Sequence, residues 1–218
     1  ETAVPKGASA CLYLITDRVL CRPREVTDVT ARAVAGGASL VQLRDPRAKT
    51  AELVEQARAL AAVLKPAGVP LIVNDRVDVA LAAGADGVHV GQSDMHPADV
   101  RRLIGPERIL GLSITCAGAL ERAGGVAVDY LGVGPLFATK TKPDASTPIG
   151  AAGLREIASR TALPIVAIGG IDLSNAAEVI TAGAQGVAVV SAICCASDPE
   201  VAARELRATV ARSLARRR

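Results

Sequence analysis

The sequence predicts a single-domain α/β protein, a (β/α)8 TIM barrel over residues 1–218. Three observations lead there. Short runs rich in Val, Ile and Leu alternate with longer Ala-rich stretches. Those stretches carry apolar residues at helical spacing, and the junctions between the two kinds of segment repeat. Alternation of this kind favours parallel pairing, because a parallel connection needs a crossover and a helix supplies it. Eight such units in 218 residues match the usual size of the barrel.

In chain order the strand candidates are "CLYLITD" (11–17), "SLVQLRD" (39–45), "PLIVND" (70–75), "GVHVGQ" (87–92), "ILGLSI" (109–114), "YLGVGPLF" (130–137), "PIVAIGG" (164–170) and "GVAVVSAI" (186–193). Helical patterns such as "TAELVEQARALAAVLKPAG" and "SNAAEVITAGA" lie between them. The segments "AGGASLVQL", "AAGADGVHV" and "TAGAQGVAV" share one grammar, a helix closed by Ala-Gly and then a strand. Glycine there supplies the left-handed conformation that stops a helix. The barrel core spans 11–193, and a C-terminal helix runs over about 198–215. An open doubly wound sheet is the alternative, and its fingerprint GxGxxG is missing.

Half of the chain is hydrophobic, yet its only aromatics are Tyr13, Tyr130 and Phe137, so aliphatic residues must fill the core. A net charge of +3 is mild, and the tail "LARRR" reads as a solvated helix end. With so few aromatics and no basic stripe, nucleic acid is not an expected partner. Five cysteines without CxxC spacing suit reduced thiols rather than disulfides or zinc, with Cys194-Cys195 a packed pair. No apolar run reaches bilayer length, and the apolar part of "ETAVPKGASACLYLITD" is too short for a signal peptide. The expectation is a cytoplasmic protein that acts on small molecules, with no membrane partner. A homo-oligomer stays open.

In a (β/α)8 barrel the active face lies at the C-terminal ends of the strands. Those ends carry Asp17, Gln42, Arg44, Asp45, Asn74, Asp75, Gln92, Asp94, Ser113, a Thr/Lys loop, Gly169-Gly170 and Ser191. Gln42 and Arg44 share one strand face; Arg44 serves the mouth, or it pairs with Asp45. Asp75 and Asp94 end neighbouring strands and suit Mg²⁺, which takes one or two carboxylates plus phosphate oxygens and water. Their alternative is helix N-capping. His89 reads as core and His96 as loop, and no His/Cys cluster supports zinc. Gly169-Gly170 and Ser191 suit a phosphate cradle, or the glycines serve tight turns alone. In "GPLFATKTKPD", Thr139 and Thr141 can donate to a phosphate and Lys142 can neutralise a second anion; the alternative is a mobile polar loop.

The ordered set "VQLRD", "IVNDRVDVALAAGADGVHVGQSD", "GLSI", "GVGPLFATKTKPD", "AIGGIDLSNAAEVI" and "GVAVVSAI" resembles the thiamine-phosphate synthase (thiamin phosphate pyrophosphorylase) family. The resemblance implies a transferase that joins a hydroxymethylpyrimidine diphosphate to a thiazole phosphate and releases pyrophosphate, with Mg²⁺. It implies that Gln42, Arg44, Asn74, Ser113 and Lys142 hold the pyrimidine diphosphate, and that Asp75 and Asp94 bind the metal. It assigns Thr139, Lys140, Thr141, Gly170, Val190 and Ser191 to the thiazole phosphate, and Arg44, Ser113 and Lys142 to catalysis. It implies a dissociative reaction, in which diphosphate leaves before the thiazole nitrogen captures a pyrimidine-methyl cation. One position departs: the family pattern Gln-x-Arg-x-Lys has Pro46 in place of the lysine, leaving Arg47 or Lys49 to substitute. The rival readings are a thiazole tautomerase on a related barrel and a non-catalytic phosphate-ligand sensor.

Overall fold

The computed structural model describes residues 11–123, 125–139, 141 and 146–217. It is a closed barrel of eight strands in sequence order, every neighbouring pair parallel. The order is β1 (Cys11–Ile15), α1 (Val26–Ala35), β2 (Leu40–Leu43), α2 (Thr50–Leu64), β3 (Leu71–Asn74), α3 (Val77–Ala83), β4 (Gly87–Val90), α4 (Pro97–Ile104) and β5 (Ile109–Ile114). A 3-10 turn (Ala117–Ala123) precedes β6 (Tyr130–Val133), then come α5 (Gly150–Ala158), β7 (Ile165–Ile168), α6 (Ala176–Thr181), β8 (Gly186–Val189), α7 (Ser191–Cys194) and α8 (Pro199–Arg217).

Period-two alternation along the strands separates two apolar layers. Residues such as Leu12, Val41, Val73, Val88, Leu110 and Val187 face outward and pack under the helices. Tyr13, Ile15, Leu40, Ile72, Ile109, Tyr130, Val166 and Ala188 fill the barrel interior. Gln42, Asn74, His89 and Ser113 continue that inward parity toward the C-terminal rim, which is how the strand period aims polar side chains at one end.

Each expected strand exists, and most end earlier than the sequence suggests. After β6 the chain stops pairing as a strand and is stitched sideways, with the N–H groups of Leu136 and Phe137 donating to the carbonyls of Ile168 at 2.9 Å and Gly169 at 3.0 Å. The run expected as strand to residue 193 instead turns into α7, because the N–H groups of Ile193 and Cys194 bond back to the Val190 carbonyl. At the far end Arg217 donates to the carbonyls of Ile180 at 2.7 Å and Ala184 at 2.8 Å, so this arginine of the basic tail is docked and not merely solvated.

Cys194 packs with Cys21 rather than with its sequence neighbour; both are fully buried, whereas Cys195 is exposed. The hydrogen bond between the two thiols lowers the pKa of Cys21 and raises that of Cys194, which burial raises further. Among the described residues no helix is long and apolar enough to cross a membrane.

Candidate active site

On the β2–β5 side the rim is made of side chains. The Arg44 N–H donates to Thr16 Oγ1 at 3.2 Å, and its half-buried guanidinium forms no ion pair among the described residues. Asp45 is taken by Arg18 at 3.1 Å and by Gln56 at 3.2 Å, so the alternative pairing of Arg44 with its neighbour is not used. A buried cation without a partner is unfavourable, and a half-buried one held at the rim is poised for an anion.

Asp75 follows β3 with φ at +61°, the one described non-glycine residue in the left-handed region. Its N–H donates to the His89 carbonyl at 2.8 Å, the next N–H, of Arg76, folds back to Asn74 O at 2.7 Å, and Asn74 Nδ2 donates to Asp75 Oδ2 at 2.7 Å. Such a conformation costs roughly 1 kcal/mol outside glycine and is concentrated at functional sites. Asp94, exposed after β4, accepts the Gly91 N–H at Oδ2, 2.7 Å. Neither carboxylate caps a helix: the N-cap of α3 is Arg76, and that of α4 is His96, whose Nδ1 accepts the Ala98 N–H at 3.2 Å. Asp17 does serve the backbone, its Oδ1 accepting the N–H groups of Val19 and Leu20 at 2.9 and 3.0 Å.

Beneath this rim runs a feature that sequence reasoning missed. Gln42 Nε2 donates to the Tyr13 hydroxyl at 2.7 Å, Tyr13 and Tyr130 hydroxyls share a bond of 2.9 Å, Tyr130 meets His89 Nδ1 at 2.8 Å, and His89 Nε2 meets Ser113 Oγ at 2.8 Å. Tyr13, Gln42 and Tyr130 are at most 2% exposed, so the chain crosses a dry interior. The room comes from Gly111 and Gly132: a Cβ on the first would collide with Tyr130 and His89, and one on the second would stand 2.8 Å from His89. His89 is thus core, as expected, but polar core. The available signal was the inward strand parity that Tyr13 and Tyr130 share with Gln42.

On the β6–β8 side the rim is main chain. Gly169 and Gly170 take φ of +99° and +64°, and a Cβ on Gly170 would stand 2.7 Å from the Ala138 carbonyl. The turn therefore lies against the loop carrying Thr139, where Thr141 N–H donates to Thr139 Oγ1 at 3.2 Å. Asn175 Nδ2 holds the Gly170 carbonyl at 2.9 Å. Val190 and exposed Ser191 open α7 beside it in the barrel order. Lys140 and Lys142 lie outside the described residues. Pro46, Arg47 and Lys49 are exposed, and neither of the two cations forms an ion pair among the described residues. Among those residues, too, no group of three or more His, Cys, Asp and Glu could hold a metal.

A closed parallel barrel with polar groups gathered toward its C-terminal rim is the architecture of a (β/α)8-barrel enzyme. Residues 12–193 match the family described as thiamine monophosphate synthase. The chain is 56% identical over 207 residues to the thiamine-phosphate synthase of Xanthobacter autotrophicus, covering 95% of this chain and 98% of that protein. It is 59% identical over 196 residues to the one from Solidesulfovibrio magneticus, covering 90% and 93%. A solved thiamine phosphate pyrophosphorylase from Pyrococcus furiosus superposes with a TM-score of 0.81 at 38% identity, over 93% of this chain and 96% of that one. The chain belongs to the thiamine monophosphate synthase family, transferases of thiamine biosynthesis.

Proposed function

We propose that this barrel condenses 4-amino-2-methyl-5-(diphosphooxymethyl)pyrimidine with a thiazole phosphate, giving thiamine phosphate and diphosphate. In this reading the methylene C–O bond breaks with its electron pair leaving on diphosphate, and the thiazole nitrogen lone pair then forms the C–N bond. The carrying observation is the Arg44 guanidinium, which forms no ion pair among the described residues, on the same rim as Asp75 and Asp94, two carboxylates that cap neither α3 nor α4.

Arg44 neutralises charge that develops on the departing oxygens, and Lys142 is assigned the same task by resemblance. Gln42, Asn74 and Ser113 orient the pyrimidine, while Thr139, Lys140, Thr141, Gly170, Val190 and Ser191 hold the thiazole phosphate. Holding two reactants in line is worth up to ~7–11 kcal/mol in favourable cases. Mg²⁺ fits Asp75 and Asp94: two hard oxygen donors in the loops that follow neighbouring strands, each with one oxygen steadied by an N–H, suit an ion that completes its shell with phosphate and water. When bound it would supply Lewis acidity at the diphosphate. The same reading takes the whole chain as one cytoplasmic domain without nucleic-acid or membrane partners.

The test is pyrophosphate release measured with each substrate alone, with both, and with and without Mg²⁺. Release is expected only with both substrates and the metal. Turnover of a thiazole carboxylate phosphate without metal or diphosphate would favour the tautomerase reading, and ligand binding without turnover the sensor.

A further inference from the structure

We infer that Asn175 is a positioning residue for the thiazole phosphate, a latch that fixes which edge of the Gly170–Ile171 peptide faces the anion. The inference rests on the reading that Gly170 belongs to the thiazole-phosphate site, and it adds a side chain that shapes this site without holding the ligand.

Asn175 stands at the position that opens α6, where an asparagine ordinarily accepts an N–H from the first helical turn. Here it makes no such bond. Its amide reaches backward instead: Oδ1 accepts the Asp172 N–H at 3.0 Å, and Nδ2 donates to the Gly170 carbonyl at 2.9 Å. Both neighbours are main-chain groups of fixed sense, so only one orientation of the amide satisfies them.

A glycine pair is where such a latch matters. Without Cβ atoms, the peptide planes on either side of Gly170 can turn over at little cost. In a trans peptide the carbonyl and the next N–H point in opposite directions, so turning a plane over exchanges a donor for an acceptor. The first plane is held from the loop after β6: the Phe137 N–H donates to the Gly169 carbonyl at 3.0 Å, which fixes the Gly170 N–H. The second is held by Asn175, which fixes the Ile171 N–H. Neither of these two N–H groups donates to a partner among the described residues. Consecutive N–H groups left open on such a turn form an anion-binding concavity. With the second plane turned over, a carbonyl would meet the phosphate oxygens and repel them.

The test pairs kinetics with backbone NMR on the whole chain. In the ¹⁵N-labelled parent, titration with thiazole phosphate is expected to move the amide protons of Gly170 and Ile171 downfield, as phosphate oxygens accept them. Asn175→Ala is expected to weaken the Ile171 response. It should also raise the KM for thiazole phosphate about 3–10-fold, the effect of one lost hydrogen bond, while kcat and the KM for the pyrimidine diphosphate stay near the parent values. Asn175→Asp keeps the bond from Asp172 and loses only the donor to Gly170, so it should show the same KM pattern; it serves as the readout if the alanine variant does not fold. Ser174→Ala removes a neighbouring bond of the same loop, Ser174 Oγ to Asp172 Oδ1 at 2.5 Å, and should change neither KM. Thermal melts establish that each variant is folded. A rise with Ser174→Ala as large as with Asn175→Ala would reduce Asn175 to loop stiffening and overturn the latch. So would an unmoved KM for thiazole phosphate in the folded Asn175 variants while the parent amides respond, an outcome that leaves the site reading intact. Parent amides that ignore thiazole phosphate, together with an unmoved KM in Gly170→Ala, would overturn the site reading and the latch with it.

Discussion

The two sides of the barrel mouth are made of different material. From β2 to β5 the rim presents side chains, Gln42, Arg44, Asn74, Asp75, Asp94 and Ser113, with a hydrogen-bonded floor of Tyr13, Tyr130 and His89. From β6 to β8 it presents main chain, two left-handed glycines pressed against the loop after β6. A side-chain surface can be dismantled one functional group at a time. A main-chain surface survives the loss of side chains and fails when an atom is added, since a Cβ both strains the backbone and collides with the loop after β6.

Asp75→Asn tests the first half most severely. Asparagine keeps the size and tolerates the left-handed backbone, so only the charge is lost. Removing a Lewis-acid ligand worth a few kcal/mol predicts kcat/KM lower by about 10²–10³-fold, partly recovered when Mg²⁺ is titrated upward, with the melting temperature nearly unchanged. Gly170→Ala tests the other half in the opposite sense. Its Cβ would meet the Ala138 carbonyl at 2.7 Å with φ at +64°, predicting about 1–3 kcal/mol of destabilisation in urea unfolding. The KM for the thiazole phosphate should rise at least tenfold, while that for the pyrimidine diphosphate moves far less.

Arg47→Ala and Lys49→Ala sharpen the comparison at Pro46. Whichever cation substitutes for the missing lysine should raise the KM for the pyrimidine diphosphate by roughly 2–5-fold, an effect that fades with added salt because the side chain is exposed. If neither variant shifts turnover or affinity, the position is uncompensated. The smallest effect belongs to a pair just behind the rim. The Arg76 guanidinium, 2.5 Å from Asp78, holds that carboxyl below its ordinary pKa. A depressed carboxyl stabilises the fold above the unfolded-state pKa, about 3.9, and that contribution is lost as pH falls through the folded-state value. Asp78→Asn should therefore lower stability at pH 7 by under about 1 kcal/mol, the carboxylate being exposed and its partner partly so. The difference from the parent protein should vanish in acid.

The barrel was legible because each level of the sequence agreed: apolar runs of strand length, helical spacing between them, and glycine at the junctions. The side-chain half of the mouth was legible too, since Gln42 and Arg44 stand two apart and strand parity fixes their common face. Three things were not. The left-handed turn at Asp75 depends on main-chain bonds between Asn74, Arg76 and β4, which residue types do not announce. The helical turn at Ser191 replaces an apolar run that has strand composition. The buried hydrogen-bonded chain needs inter-strand register, because Tyr13, His89 and Tyr130 belong to three strands and meet only where Gly111 and Gly132 make room.

The backbone twist at Asp75 bears on any attempt to move this chemistry elsewhere. An aspartate written at the end of the third strand of another barrel would aim its carboxylate along an ordinary extended path. The tripeptide Asn74-Asp75-Arg76, with its fold-back bond of 2.7 Å, has to travel as one unit. On this scaffold the transferable module is a turn and not a letter.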